Sequence, residues 1–177
     1  MASPISCLSI LVIPLLLTSL FYHVSNADQA LVESICNVMR DKNFCLTELL
    51  SNPQSISSNL SMLGIITIDL NLKVFEEAEG QISKILGTLK DPLDQSRLTN
   101  CKTNLANARE TIKTARNATQ GQSKEQNLIM DAFVKIYNCN SAYWKPPNRP
   151  NPIDKLTNKI VELFNISNQI IAMIGKS

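Results

Sequence analysis

Four cysteines constrain this chain more tightly than any other feature of its sequence. Eight residues separate Cys36 from Cys45, and thirty-seven separate Cys101 from Cys139. An even number of cysteines at such spacings is typical of a disulfide framework when the chain is secreted into an oxidising compartment. Whether this chain is secreted is therefore the first question that its sequence must answer.

The N-terminal segment predicts secretion. Residues 5–24 are mostly apolar and contain no Asp, Glu, Lys or Arg. Small residues follow, which is typical of a signal peptide cleaved after residue 27, so the mature chain would begin at Asp28. The alternative, an uncleaved membrane anchor, is less favoured because Pro14 interrupts the apolar run and disfavours a stable spanning helix. Cys7 and the only histidine, His23, would leave with the signal peptide.

The composition of the mature chain excludes several classes of function. Its net charge of +2 is mild and interspersed, which does not favour nucleic acid as a partner. Without histidine it lacks the usual base for a serine or cysteine nucleophile and the commonest nitrogen ligand of zinc. Glu76, Glu77 and Glu79 more simply form a solvated helix face than a glycosidase pair. We therefore expect a binding module with no catalytic residue, metal or cofactor.

Prolines divide the chain into segments with room for long helices. No proline occurs from residue 54 to 91 or from 93 to 145, and apolar residues recur there at steps of three and four. Asn or Asp before a proline is a favourable helix N-cap, because proline suits the first helical position. Helix starts are thus predicted at Asn52-Pro53, Asp91-Pro92 and Asn151-Pro152, and at Ser123, which opens a capping-box pattern.

These segments predict an all-α fold. Four amphipathic helices with short connections indicate an up-down-up-down four-helix bundle over residues 53–177. Residues 28–52 predict an N-terminal helical hairpin that a bond between the first two cysteines would close. In antiparallel neighbours, Cys101 early in one helix lies level with Cys139 late in the next. Of the three pairings that four cysteines allow, the sequence favours 36–45 and 101–139.

Three Asn-x-Ser/Thr sequons are candidate glycosylation sites in a secreted protein. They begin at Asn59, Asn117 and Asn165. Asn117 is favoured because a loop-like stretch follows it, whereas Asn165 lies on the polar side of a helical pattern.

A proline-rich stretch at residues 143–150 predicts an ordered, extended connector before the last helix. Trp144, the only tryptophan in the chain, is expected to pack against the protein and hold this connector in place, with a ligand contact as the less favoured alternative.

The cysteine framework also carries a resemblance. With a signal peptide, the Cys36-x8-Cys45 pair, Cys101 after a long segment and Cys139 in the next helix, the chain resembles the plant invertase and pectin methylesterase inhibitor family over essentially its whole mature length. The stretch Leu63-Gly64-Ile65-Ile66, followed by a long helix, is similar to the branch that includes pollen proteins.

This resemblance implies a fold and a function. It implies an N-terminal hairpin on a four-helix bundle with disulfides 36–45 and 101–139. It also implies noncovalent, one-to-one inhibition of a plant carbohydrate-active enzyme in the cell wall (apoplast) or the vacuole, with no membrane attachment after signal cleavage. Invertase inhibitors of the family plug the sucrose site with a Pro-Lys-Phe loop, whereas pectin methylesterase inhibitors cover the pectin cleft with polar helix faces.

Two positions depart from the pattern of the family. The Pro-Lys-Phe position falls at Gln122-Ser123-Lys124, which we take as candidate target contacts, and Leu105 stands where many relatives have tyrosine. Because the aromatic plug is missing, the sequence favours pectin methylesterase over acid invertase as the target.

The alternative is a helical bundle that carries a small apolar ligand and inhibits nothing. Such a protein would need an internal cavity, whereas the many Ile and Leu residues more simply fill a close-packed core. A further interpretation is a detached pro-region of a larger pectinase. Such a pro-region would have to act in trans on the enzyme, so it would again be an inhibitor.

Overall fold

The computed structural model describes residues 29–117 and 122–175, without the side chains of residues 122 and 123. The expected signal peptide and its cleavage site lie outside this part of the chain. The helical elements are α1 (29–36), α2 (Lys42–Leu50), a 3₁₀ turn (Pro53–Ser57), α3 (Leu60–Leu86), α4 (Pro92–Asn117), α5 (Gln122–Ser141) and α6 (Asp154–Ile174). No strand occurs within the described ranges, and the predicted all-α class is confirmed.

The four long helices form an antiparallel bundle. Helix α3 packs against α4 and α6, and α5 packs against the same two helices. Two contacts on each side show that α3 runs antiparallel to both neighbours. Arg109 and Arg116 in α4 pair with Glu79 and Asp69 in α3, at 2.8 and 2.6 Å. In α6, Phe164 meets Phe75 of α3 with ring centroids 6.1 Å apart, and Ile170 faces Gly64. This is the predicted up-down-up-down arrangement.

Two disulfides are present, as the fold prediction requires. Cys36 bonds Cys45, with Cα atoms 5.5 Å apart, and closes the hairpin of α1 and α2. Cys101 bonds Cys139, with Cα atoms 4.4 Å apart, and joins α4 to α5. All four cysteines are buried, so both bonds lie inside the hydrophobic core.

The helix starts agree with the proline pattern in only one of three places. Helix α4 begins at Pro92, and the Asp91 carboxylate accepts hydrogen bonds from the backbone N–H groups of Leu93 and Asp94. The predicted start at Pro53 is wrong for the long helix, because Asn52 caps only a 3₁₀ turn and Asn59 caps α3 instead.

The two remaining starts also differ from the prediction. Asn151 accepts from the N–H of Ile153, but this closes a turn, and α6 begins at Asp154. Helix α5 begins at Gln122, so Ser123 lies inside the helix and is not its N-cap. In both places local side-chain chemistry marks the neighbourhood of the helix start but misses the first residue by a few positions.

The connector between α5 and α6 is folded back and not extended throughout. Residues 142–147 form turns and bends, and the N–H of Arg149 donates to the carbonyl of Tyr143 at 3.1 Å. The connector is held by Tyr143, which is buried, while Trp144 is 58% exposed. Burial, reinforced by the charge of Asp94, raises the pKa of Tyr143 to about 12. The expectation that Trp144 anchors the connector by burial is therefore wrong.

Candidate functional site

One exposed row along α4 is polar and nearly uncharged, while Lys102 and Arg116 are exposed on the same helix outside this row. Short hydroxyl and amide side chains recur there at steps of three and four residues, with Glu110 as the one acid in the row. Its uncharged members are Ser96, Asn100, Thr103, Asn107, Thr114 and Asn117, and all of them are exposed. Such a row offers many hydrogen-bond donors and acceptors without the desolvation cost of buried charges.

One exposed row on α5 is apolar, and at Met130 it borders α6, where the Asn168 amide lies 3.7 Å from the Met130 sulfur. Met130, Val134 and Tyr137 follow one another at steps of four and three, and each is about half exposed, from 46% to 51%. Trp144 continues the row, because its ring meets that of Tyr137 edge-on with centroids 5.6 Å apart. Exposed apolar residues in a contiguous row mark an interaction surface more often than scattered ones do.

One hydrogen bond joins the two helices, and an ion pair within α5 lies beside it. Thr111 on α4 donates to the carboxylate of Asp131 on α5 at 3.4 Å, and Lys135 forms an ion pair with the same carboxylate. We call the row on α4, the row on α5 and these linking residues the α4–α5 face. The buried 101–139 disulfide also joins the two helices that carry this face.

The predicted target contacts lie at one end of this face. Residues 122–124 form the first turn of α5 and not a loop, and Lys124 is exposed. Partial burial raises the pKa of the next residue, Glu125. Asn117, the last residue of α4, is at the same end and is exposed. The rest of its sequon falls outside the described residues.

The other two sequons lie on α3 and α6. Asn59 is exposed, and its side-chain oxygen accepts from the N–H of Met62 at 2.9 Å. Asn165 is exposed in the middle of α6, but its partner Ser167 is buried and donates to the carbonyl of Leu163 at 3.0 Å. The two sequons therefore differ in how accessible they are after folding.

Outside the α4–α5 face, the described residues form no other clear candidate site. Glu76 and Glu77 are exposed on α3, while Glu79 pairs with Arg109. Among the described residues, no group of three His, Cys, Asp or Glu side chains is placed to hold a metal ion. Within the same ranges, no helix combines the length and hydropathy that a membrane span requires.

Two pockets lie at the edges of the described part of the molecule. A pocket of about 190 Å³ at one end of the bundle is lined by Leu89, Asp94, Tyr143, Arg149 and two prolines. A shallower groove is lined by α3 and the start of α6. Neither is lined by the central Ile and Leu residues of the helix stripes, which are buried against one another. These pockets therefore give no support to the apolar-ligand alternative.

Comparisons with known proteins decide the family. A family model described as plant invertase/pectin methylesterase inhibitor matches residues 30–173. The chain belongs to this family. Its similarity to the pectinesterase inhibitor of Actinidia deliciosa extends over 90% of this chain and 91% of that protein, at 28% identity. Its similarity to a Platanus orientalis protein named "Putative invertase inhibitor" covers 75% of this chain and 79% of that protein, at 26% identity.

Solved structures agree with the fold. A mutant form of a pectin methylesterase inhibitor from Arabidopsis matches with a TM-score of 0.70 at 18% identity, over 80% of this chain and 95% of that one. Family membership makes the chain an inhibitor of pectin methylesterase or invertase in general terms, and it agrees with the prediction that the chain is not an enzyme.

Sequence reasoning missed the exposed row on α5. The apolar stripe read from the sequence contained Leu128, Ala132 and Ile136, which face the core or its margin. Met130, Val134 and Tyr137 form a second stripe with the same spacing. A helix with two apolar stripes can bury only one against its own bundle, and that signal was available in the sequence.

Proposed function

We propose that this family member is a secreted inhibitor of plant pectin methylesterase that forms a noncovalent one-to-one complex through the α4–α5 face. The observation that carries this proposal is the uncharged polar row on α4, because the family's pectin methylesterase inhibitors cover the pectin cleft with polar helix faces. The Actinidia relative, a pectinesterase inhibitor similar along nearly the whole chain, supports the same target.

The mechanism is exclusion of substrate. A rigid face needs little ordering when it docks, so more of the contact energy appears as affinity. The asparagine and threonine side chains of α4 would satisfy polar groups in the cleft, and the apolar row on α5 would supply the desolvated centre that binding requires. The inhibitor would form no covalent bond to the enzyme, and it needs no cofactor.

Acid invertase is the second candidate target. The Platanus relative carries an invertase-inhibitor name, and Lys124 is exposed at the end of the face where the family's Pro-Lys-Phe plug would fall. The aromatic residue of that plug is missing at positions 122–124, so pectin methylesterase stays the first choice.

Secretion completes the proposal. The signal-like segment at residues 1–27 and the two disulfides support export to the cell wall, with the vacuole as the alternative destination. Asn59, Asn117 and Asn165 are the proposed glycan acceptors. Of these, Asn59 combines an exposed side chain with an exposed serine in its sequon.

A paired titration tests the target. The oxidised, secreted protein is added to plant pectin methylesterase and, separately, to plant acid invertase at the mildly acidic pH of the cell wall. We expect pectin methylesterase activity to fall and to saturate near one equivalent. Loss of invertase activity alone would move the assignment to the second candidate. Full activity of both enzymes, with a folded inhibitor, would refute the proposal.

The contact face is tested with matched methionines. Met130 on α5 and Met62 at the start of α3 are equally exposed, at 46%. We expect Met130→Glu to weaken inhibition at least about tenfold, because it places a charge at a desolvated contact, and Met62→Glu to leave inhibition unchanged. Equal effects of the two substitutions would show that the α4–α5 face is not the contact surface.

A further inference from the structure

The connector between α5 and α6 presents a short exposed loop at the far end of the α4–α5 face. Residues Trp144–Asn148, which we call the connector loop, are all exposed. The loop is closed at its base, where the N–H of Arg149 donates to the carbonyl of Tyr143 at 3.1 Å. Five exposed residues between two hydrogen-bonded neighbours form a projection with a fixed base.

A buried arginine holds the inside of this loop. Arg97 on α4 is only 7% exposed, and its two terminal nitrogens donate to the carbonyls of Lys145 and Pro147, each at 2.9 Å. Within the described ranges it forms no ion pair with a carboxylate, so its charge is satisfied by the loop backbone. Hydrogen bonds from a charged donor are stronger than neutral ones, and two of them fix the backbone on both sides of Pro146.

The exposed side chains of the loop are those that protein interfaces favour. Trp144 is the most exposed aromatic residue of the α4–α5 face and lies against Tyr137. Lys145 follows it directly, and no ion pair to Lys145 occurs in the described part of the chain. Tryptophan is strongly enriched among residues that dominate binding energy, especially where the surrounding backbone is already ordered.

We propose that the connector loop is a preformed anchor that inserts Trp144 into the cleft of the target enzyme, with Lys145 paired to a carboxylate beside it. The partner surface is the substrate cleft of a carbohydrate-active enzyme. Such clefts offer flat apolar surfaces, and many hold catalytic carboxylates, which complement an aromatic ring followed by a free cation. This inference rests on the proposed inhibitory function and adds a second contact point to it.

Arg97 is then a positioning residue for binding. It does not reach the surface, but it fixes the two carbonyls between which the loop turns. Its role explains why a charged group is buried where an apolar residue would pack at lower desolvation cost. Without it, the loop would have to be ordered on binding, at the expense of affinity.

The single tryptophan allows a direct test. The oxidised protein is labelled with 5-fluorotryptophan, so that its one ¹⁹F resonance reports Trp144 alone, and is mixed with whichever of pectin methylesterase and acid invertase it inhibits. We expect the resonance to shift and broaden with the same equivalence point as the inhibition. We also expect Trp144→Ala to weaken inhibition about thirtyfold or more, as for a dominant contact, and Val38→Ala, an exposed control on the hairpin, to change nothing.

The outcomes separate this inference from the function on which it rests. Inhibition with an unshifted ¹⁹F resonance and full potency of Trp144→Ala would overturn the anchor and leave the α4–α5 face as the contact. No inhibition of either enzyme would overturn the proposed function and the anchor with it. For Arg97→Lys, which cannot reproduce the two-carbonyl fork, we expect faster local motion of Trp144 in fluorescence anisotropy and weaker inhibition. Unchanged anisotropy would refute the positioning role.

Discussion

The α3–α6 pair and the α4–α5 pair of the bundle are held together in different ways. Helices α3 and α6 approach each other closely: Gly64 faces Ile170, and the rings of Phe75 and Phe164 meet between them. Their buried hydroxyls bond within their own helix, as Thr67 does to the carbonyl of Gly64 at 2.8 Å. Helices α4 and α5 are joined by a disulfide and carry polar and apolar rows outward.

This difference shows how a small bundle can be stable and still expose a surface for binding. Packing of apolar side chains supplies cohesion on the α3–α6 side, so little apolar surface remains exposed there. On the α4–α5 side a covalent bond supplies part of the cohesion, which leaves apolar residues such as Val134 free to face outward. Changes on the first side should therefore alter stability, and changes on the second should alter inhibition.

The largest expected effect is the loss of an aromatic ring between α3 and α6. Phe164 is fully buried, so Phe164→Ala should lower the free energy of unfolding by about 3–5 kcal/mol. Val134→Ala, at a half-exposed position on α5, should cost less than about 0.5 kcal/mol but weaken inhibition. Urea unfolding measures the stability of both variants, and enzyme titration measures their inhibition. A large loss of stability for Val134→Ala would contradict the proposed difference between the two sides of the bundle.

Loss of either disulfide is expected to have the next largest effect on the free energy of unfolding. Removing the 101–139 bond, which closes a loop across 38 positions, should cost about 4 kcal/mol by the chain-entropy relation. The 36–45 bond spans only 9 positions and should cost about 3 kcal/mol.

Double Cys→Ala variants of each pair, unfolded in urea, measure these two values. If the 101–139 bond also aligns the α4–α5 face, its removal should reduce inhibition in protein that is still folded. The variant that lacks the 36–45 bond serves as the control for inhibition. Equal potency of the two variants would show that packing alone aligns the face.

The fold was predictable from the sequence because its signals are local and repeated. Long stretches without proline leave room for the helices, and the three- and four-residue steps identify the buried sides. The pattern failed at Pro53, because an N-cap asparagine before proline serves a 3₁₀ turn as well as an α-helix. The extended backbone at Ser58 and the local cap that Asn59 forms with the N–H of Met62 distinguish the two.

The candidate site was less predictable. Gln122, Ser123 and Lys124 were located by analogy with a loop, but in this chain they are helical. Arg97 gives no sequence signal at all, since its partners are backbone carbonyls forty-eight and fifty positions away. Such contacts are created by the fold, so residue types alone do not reveal them.

A smaller effect is expected from two glycines of α3. A Cβ at Gly80 would meet nothing within 4 Å, and one at Gly64 would lie 3.7 Å from Ile170, an ordinary contact. Each Gly→Ala change should therefore raise stability by about 1 kcal/mol through helix propensity. Thermal and urea unfolding test this. If Gly64→Ala were destabilising, the α3–α6 packing would be tighter than the distance indicates.

The smallest effects are two pH dependences of opposite sign, one at the start of α4 and one at the start of α5. Partial burial raises the pKa of Glu125, so its ionisation weakens the folded state as pH rises through the ordinary range of Glu, near about 4.3, and up to the raised folded value. Glu125→Gln should therefore stabilise the protein at neutral pH and have no such benefit at pH well below that range.

Asp91 behaves in the reverse way. Hydrogen bonds from the backbone N–H groups of Leu93 and Asp94, with help from Arg149, lower its pKa. Its stabilising contribution is present above the ordinary pKa of Asp and is lost as pH falls through the lowered one. Asp91→Asn keeps a capping oxygen but removes the charge, so it should destabilise at neutral pH and lose that effect in acid. Urea unfolding of both variants across this pH range measures the two slopes. Slopes of the same sign would mean that burial at Glu125 does not outweigh its favourable place in the first turn of α5.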